Sequence, residues 1–300
     1  MELIFLGTGN AGVTKRYNTC FLLRDPERVS DPYFLVDAGG GNGILRQLKK
    51  ADVDPRDIRT LFVTHRHLDH ILGVFWILRT ICQTLKKENY PGTLTIYAND
   101  EVTGILRDMS RRLLETDDIP GFSGHVSFEA VGDGEKRKIL GREVTFFDIR
   151  STKAKQSGFC MRMENGKKLT YCGDEPCQKD TEPYAEGADL LIHEAFCLYE
   201  DREKFDPYEK HHSTVRDAAM LAERLGVKNL ILVHTEEKTG KERKKRYRKE
   251  GEQYFSGKLL VPEDLEEVDL PGSLGSEPKT VPKRRCRTGG GAKSTLSHRL

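Results

Sequence analysis

Apolar positions fall along this chain in short runs, broken by a few stretches of helical spacing. Glu2–Gly7, Thr19–Leu23 and Tyr33–Val36 are brief apolar runs, and Ile58–Thr64 (IRTLFVT) has the β-branched character of a buried strand. Over 70–87 the spacing changes. Ile71, Val74, Phe75, Leu78, Cys82 and Leu85 form one stripe, which predicts an amphipathic helix. Leu94–Ala98 reads as a strand and about 100–115 as a helix. From 126 the short runs return: Val126–Val131, Glu143–Ile149, Gly158–Met163, Lys168–Cys172 and Ala188–His193 are predicted strands. A helix over Val215–Leu225 and a strand over Val227–Val233 (VKNLILV) follow. Buried strands alternating with helices predict an α/β layered fold, and no solenoid period is present.

Composition narrows the class. The chain has 300 residues, 37% apolar and 32% charged, which excludes a disulfide-stapled miniprotein or a collagen. No run approaches the roughly 18 apolar residues of a membrane span, and the start lacks the basic segment of a signal peptide. Seven cysteines form no CxxC pair, so free thiols in a reducing cytoplasm are expected. The net charge of +2 is uneven. Residues 271–300 hold seven Lys/Arg against one Glu and carry +6, leaving −4 on the rest. The expected organisation is one domain over 1–270, followed by a basic tail over 271–300 that is disordered by composition.

Gly7-Thr-Gly9-Asn-Ala-Gly12 matches the dinucleotide-binding GxGxxG pattern after a strand. That reading needs a helix next, and residues 13–23 end in an extended run instead. A tight glycine turn between strands is favoured. The informative motif is His65-Arg66-His67-Leu68-Asp69-His70, directly after the Ile58–Thr64 strand. Chance would give HxHxDH on the order of once in two thousand chains of this composition. Residues at i and i+2 on a strand end share a face, so His65 and His67 can aim at one ion. Asp69 and His70, at the turn into the next helix, can face a second. Imidazole nitrogen and carboxylate oxygen suit zinc and similar metals.

With these residues in place, the sequence resembles the metallo-β-lactamase fold hydrolases and, within them, the ribonuclease Z-like branch. The likeness spans about residues 1–270. Besides HRHLDH it rests on Leu6-Gly7-Thr8-Gly9, Val36-Asp37-Ala38-Gly39, Gly173-Asp174, His193-Glu194-Ala195, His212-Ser213-Thr214 and Val233-His234, in that order. The resemblance implies a four-layered αβ/βα sandwich with two divalent ions, zinc being the expected metal. It assigns His65 and His67 to the first ion, Asp69, His70 and His234 to the second, and Asp174 to both. Asp69 would also take a proton from the attacking water, and Glu194 with His212 would relay a proton to the leaving oxygen. Each residue has a plainer reading: Gly173-Asp174 as a turn, Glu194–His212 as a buried structural pair. His211 reads as a bystander, His125 as a solvated loop residue, and Cys172 and Cys177 as buried thiols.

The family places a further His where this chain has Arg150, after the strand ending near 149. A guanidinium cannot donate a lone pair to a metal. A weakened first site is therefore expected, with Arg150 gripping a substrate phosphate. Only 24 residues separate Arg150 from Asp174, which leaves no room for the tRNA-gripping arm of bacterial ribonuclease Z. The run Lys238–Lys249 (KTGKERKKRYRK) could track a phosphate backbone, or be a solvated helix face balanced by acids. The leading function is hydrolysis of a phosphodiester in RNA or a nucleotide. An ester, lactone or thioester hydrolase on the same metals is a second reading. A metal-poor relative that binds RNA or a protein is a third. A homodimer is implied by resemblance alone.

Overall fold

The computed structural model describes residues 1–87, 90–163, 166–269 and 279–280. The first half of the chain supplies β1 (Glu2–Gly7), β2 (Cys20–Arg24), β3 (Tyr33–Val36), β4 (Ile58–Val63), β5 (Leu94–Ala98) and β6 (Val126–Ala130). Between them run α1 (Gly43–Lys50), α2 (Leu68–Leu85), α3 (Asp100–Leu114) and α4 (Phe122–His125). The second half supplies β7 (Lys136–Ile139), β8 (Arg142–Asp148), β9 (Ser157–Arg162), β10 (Lys168–Tyr171), β11 (Leu190–Glu194), β12 (Asn229–Val233) and β13 (Lys258–Leu260). Its helices are α5 (Glu182–Ala185), α6 (Arg202–Phe205), α7 (Val215–Arg224) and α8 (Arg243–Gly251). The chain then returns to the first sheet as β14 (Glu266–Asp269) and β15 (Lys279–Thr280).

Two mixed sheets result, one ordered β15-β14-β1-β2-β3-β4-β5-β6 and the other β13-β12-β11-β10-β9-β8-β7. Both switch from antiparallel to parallel pairing part-way across. In the first sheet the switch falls between β3 and β4, and in the second between β10 and β11. Ligands of open α/β sheets gather beyond the carboxyl ends of strands at such switch points.

The inner faces of the sheets pack on one another through aromatic rings. Phe62 meets Phe146 at 4.9 Å between ring centroids, and Phe21 meets Tyr171 edge-on at 5.1 Å. The outer face of the first sheet is covered by α1, α2 and α3 through Ile44, Leu48, Ile71, Val74, Val102 and Leu106. The outer face of the second is covered by α7 and α8 through Ala218, Ala219, Ala222 and Tyr247. This is the expected αβ/βα sandwich.

The predicted strands and helices are present, with ends displaced by one or two residues. Patterning missed α1, α8, β7, β13 and β14. Helix α8 (RKKRYRKEG) has no apolar stripe and buries Arg243 and Tyr247 instead. The last strand is held to the first by more than its ladder. Asp264 accepts from Thr8 N–H (3.1 Å), Thr8 Oγ1 (3.0 Å) and Tyr17 N–H (2.6 Å). The tail expected over 271–300 lies outside the described residues except at 279–280, which pair with β14. Among the described residues, no helix is long and apolar enough to cross a membrane.

Candidate metal centre

The carboxyl ends of β4, β10 and β12 converge between the sheets. The turn after β4 carries His65 and His67, and His67 caps α2, so Asp69 and His70 sit in the first helical turn. Asp174 follows β10 and His234 follows β12. Asp174 Oδ2 stands among the imidazoles, 3.5 Å from His65 Nε2, 3.6 Å from His70 Nε2 and 3.6 Å from His234 Nε2. His65 Nε2 is 2.8 Å from His67 Nδ1, and His70 Nε2 is 3.3 Å from Asp69 Oδ2. The six side chains thus form two donor triads, His65/His67/Asp174 and Asp69/His70/His234, with donor atoms within 4.8 Å of one another in each. All six residues singled out from the sequence as ligands are brought together.

The donor set fits divalent metal. Asp69 Oδ2 and His70 Nε2 are buried without a hydrogen-bond partner although they face the cluster. Buried polar atoms in that state are costly unless something satisfies them. Burial pushes the His65 imidazole well below its ordinary pKa and the His234 imidazole down to about 4, so both present lone pairs. Burial alone would raise the Asp174 carboxyl, but His65, His70 and His234 hold it well below the carboxylate range. Nitrogen and oxygen donors of this kind suit zinc, and binding would displace the proton shared between His65 and His67.

A second layer of groups fixes these side chains. Asp37 ends β3 in a left-handed conformation (φ 55°), and its buried carboxylate accepts from Thr64 N–H (2.8 Å) and from His70 Nδ1 (2.8 Å). That bond leaves His70 Nε2 free to face a metal. Thr64 Oγ1 lies 2.9 Å from both Asp37 Oδ2 and His65 Nδ1 and links the two. Helix α2 lies flush on the Asp37–Gly39 turn, because a Cβ on Gly73 would sit 1.8 Å from the Ala38 carbonyl oxygen. His234 is also left-handed (φ 56°), a conformation that persists only when its surroundings impose it. Thr19 Oγ1 accepts its N–H at 3.1 Å, and the neighbouring Thr235 bonds Thr8 O and the buried guanidinium of Arg243. The glycine turn therefore braces the His234 loop and does not cradle a nucleotide. A Cβ on Gly7 would lie 2.1 Å from the Asn18 carbonyl oxygen.

Glu194 and His212 meet beside this cluster, with Oε2 3.5 Å from Nδ1. Glu194 Oε1 accepts from Ser213 N–H (2.6 Å) and Ser213 Oγ (2.5 Å), so its second oxygen is aimed at the ring. The ring stacks on Phe196 at 4.9 Å and lies 5.1 Å from His234 between centroids. Burial alone would lower the His212 pKa, and Glu194 more than reverses it. A cleft of about 360 Å³ opens here, lined by Arg150, Thr152, Glu175, Tyr208, His211 and His212 among others. Arg150 is a half-exposed rim residue whose guanidinium pairs with Asp133 (2.7 Å) and Asp148 (3.5 Å). Lys153, not marked by the sequence, donates to Lys210 O (2.9 Å) and lies 3.5 Å from Glu175. His211 also lines the cleft, near Thr152 Oγ1. His125 is not a solvated loop residue: it ends α4, half-buried, with Nδ1 2.6 Å from Gly92 O.

The basic run after His234 is largely paired. Lys244 bonds Glu266, Arg246 bonds Glu200, Arg248 bonds Glu252, and Arg243 is buried against Pro262 O and Glu263. Among the described residues, Lys238, Lys241 and Lys249 make no ion pair, so acids balance only part of this basic face. Asp37, Thr64 and Gln156 are the site residues that sequence reasoning left without a role. Asp37 stood inside a quoted motif, whereas Gln156 carried no signal at all.

Comparison with known proteins agrees with this geometry. Residues 33–235 match the beta-lactamase superfamily domain. A ribonuclease Z of Thermococcus sibiricus is 28% identical, with the match covering 90% of this chain and 96% of that protein. Among solved structures, the metallo-beta-lactamase fold protein YhfI of Bacillus subtilis superposes with a TM-score of 0.69 at 19% identity, covering 89% of this chain and 98% of YhfI. The short form of human tRNase Z superposes with a TM-score of 0.66 at 24% identity, covering 90% of this chain and all of that one (100%). The chain belongs to the beta-lactamase superfamily and has the metallo-β-lactamase fold.

Proposed function

We propose that this member of the beta-lactamase superfamily is a ribonuclease Z-like, metal-dependent hydrolase that cleaves a phosphodiester in RNA or a nucleotide. The observation that carries the reading is the pair of donor triads meeting at Asp174 Oδ2, with Glu194–His212 alongside. The relatedness to proteins named ribonuclease Z supports the substrate class. His65, His67 and Asp174 would hold one ion, and Asp69, His70, His234 and Asp174 the other, zinc being the metal their donors suit. Two such ions supply Lewis acidity, polarising a water and a phosphoryl oxygen.

The remaining chemistry belongs to the chain. Asp69 Oδ2, unpartnered and buried, can accept a proton from the attacking water. His212, whose protonated form Glu194 favours, can hand a proton to the leaving oxygen. The phosphate grip expected of Arg150 is not formed in this structure, because Asp133 and Asp148 already hold its guanidinium on the cleft rim. Six cysteines are buried free thiols, in keeping with a cytoplasmic protein.

The test is metal content of protein purified without added metal, followed by hydrolysis of bis(p-nitrophenyl) phosphate and of a tRNA bearing a 3′ trailer. The expected result is close to two ions per chain and phosphodiester cleavage abolished by chelator and restored by zinc. Metal-loaded protein that hydrolysed carboxylic esters but neither phosphodiester would refute the reading.

A further inference from the structure

The donor triads are unequal. Asp69, His70 and His234 are joined by Asp174, whereas His65 and His67 have Asp174 alone. No third imidazole reaches them among the described residues, because residues 150–155 make an outward excursion. Ile149 N–H donates to Gln156 O at 3.1 Å and closes that excursion at its base. Arg150, at φ 63°, turns its side chain to Asp133 and Asp148 on the rim. The residue the excursion delivers to the centre is Gln156, 1% exposed. Ser157 N–H bonds Thr64 O at 3.0 Å, which fixes this point of the chain against the end of β4.

The Gln156 amide sits between two members of the first triad. Its Nε2 donates to Asp174 Oδ1 and lies 2.7 Å from His65 Nδ1. Gly173, at φ 82°, makes room for it, since a Cβ there would approach Gln156 Cδ and Oε1 to 3.1 Å. The consequence is at the far side of the carboxylate. With Oδ1 bonded to the amide, Oδ2 is the oxygen that stands 3.5–3.6 Å from His65, His70 and His234. A carboxylate free to rotate would instead offer both oxygens to one ion.

We propose that Gln156 is a positioning residue for the metal centre. It takes up Asp174 Oδ1, so that one oxygen, Oδ2, is left to be shared by both triads. This stands in for the missing third imidazole by orientation, not by ligation. The inference rests on the metal-dependent reading above.

Gln156→Met keeps the volume and removes the donor, and Gln156→Glu keeps the shape and turns the donor into an acceptor. Each full-length variant is titrated with zinc against a competing chelator. Each is also loaded with cobalt(II) for its visible spectrum, with circular dichroism as the check on folding. The expected result is that wild type holds two ions, while both variants keep one and bind the other about 10–100-fold more weakly, the range for losing an orienting partner. The cobalt bands of the retained ion should also change, because Asp174 is no longer constrained. Folded variants with wild-type affinities for both ions and unchanged bands would overturn the proposal alone. Wild-type protein that took up no metal would overturn it together with the hydrolase reading. Should one variant not fold, the other decides.

Discussion

Replacing Asp37 with Asn is a sharp test of how this centre is built. In the native protein Asp37 Oδ1 accepts from Thr64 N–H, and Oδ2 accepts from Thr64 Oγ1 and His70 Nδ1. An Asn side chain has one acceptor oxygen and one donor NH2 group. If the oxygen stays against the Thr64 amide, the NH2 faces His70 Nδ1 and forces that nitrogen to become the acceptor. The His70 proton then moves to Nε2, the atom that faces Asp69 and Asp174. If the amide turns over, Thr64 N–H meets a donor in a site with no water access, which costs about 1–3 kcal/mol. The first arrangement opposes a metal at His70, whereas the second keeps the His70 tautomer and shows as lost fold stability. The expected loss is about 10–100-fold in affinity, or about 1.4–2.8 kcal/mol, for the ion held by Asp69, His70 and His234. The assay is zinc titration against a chelator, with the unfolding midpoint of the metal-free form measured in parallel. Unchanged affinity together with an unchanged metal-free unfolding midpoint in the Asp37→Asn protein would refute the claim that this carboxylate sets the His70 tautomer.

Further outcomes are expected. Chelation should lower the unfolding midpoint, and zinc at a thousandfold excess over its Kd should restore about 4 kcal/mol of stability per ion; a midpoint indifferent to zinc would count against a folded-state site. Glu194→Gln should leave metal content intact while phosphodiester cleavage falls about 100-fold or more, because His212 loses the carboxylate that raises its pKa; full activity in that variant would return the pair to a structural role. Gly73→Ala should destabilise by at least about 1–3 kcal/mol, since α2 would have to lift from Ala38 O, and thermal melts would read it. Arg142 bonds Asp25 at 2.7 Å and holds its carboxyl below the usual range despite burial. That stabilisation is complete above the ordinary carboxylate pKa and is lost as pH falls through the lowered one. Urea melts should therefore find Asp25→Asn weaker than wild type at neutral pH, with the gap closing in acid.

The sheets were readable from the sequence because both faces of most strands are buried, so IRTLFVT and VKNLILV stand out as apolar runs. Helix α2 was readable because its stripe is long. Helix α8 was not, since it contributes one tyrosine and one buried guanidinium to the interior, and neither follows a hydrophobic period. Strand β14 (EEVD) escaped notice because its buried positions include Glu266, which is paired with Lys244, so it shows no apolar run. The six residues at the centre of the site were all named from motifs. Gln156 could not be. Its place depends on how far the 150–155 excursion carries the chain, and the residue that breaks the family pattern, Arg150, drew attention six positions too early.

The bonds from Asp264 to Thr8 and Tyr17 also bear on the order of events at the ribosome. Residues 1–24 emerge well before 266–269, so the edge beside β1 stays open until those residues have been made. The Thr8 and Thr19 turn that steadies His234 is likewise unclamped until Asp264 arrives. At roughly 5–20 residues per second the chain spends on the order of ten seconds with its first sheet unfinished. Closure of the His234 side of the site is thereby postponed until residue 264 has emerged, and a fragment ending before it should hold a divalent metal less tightly than the full chain.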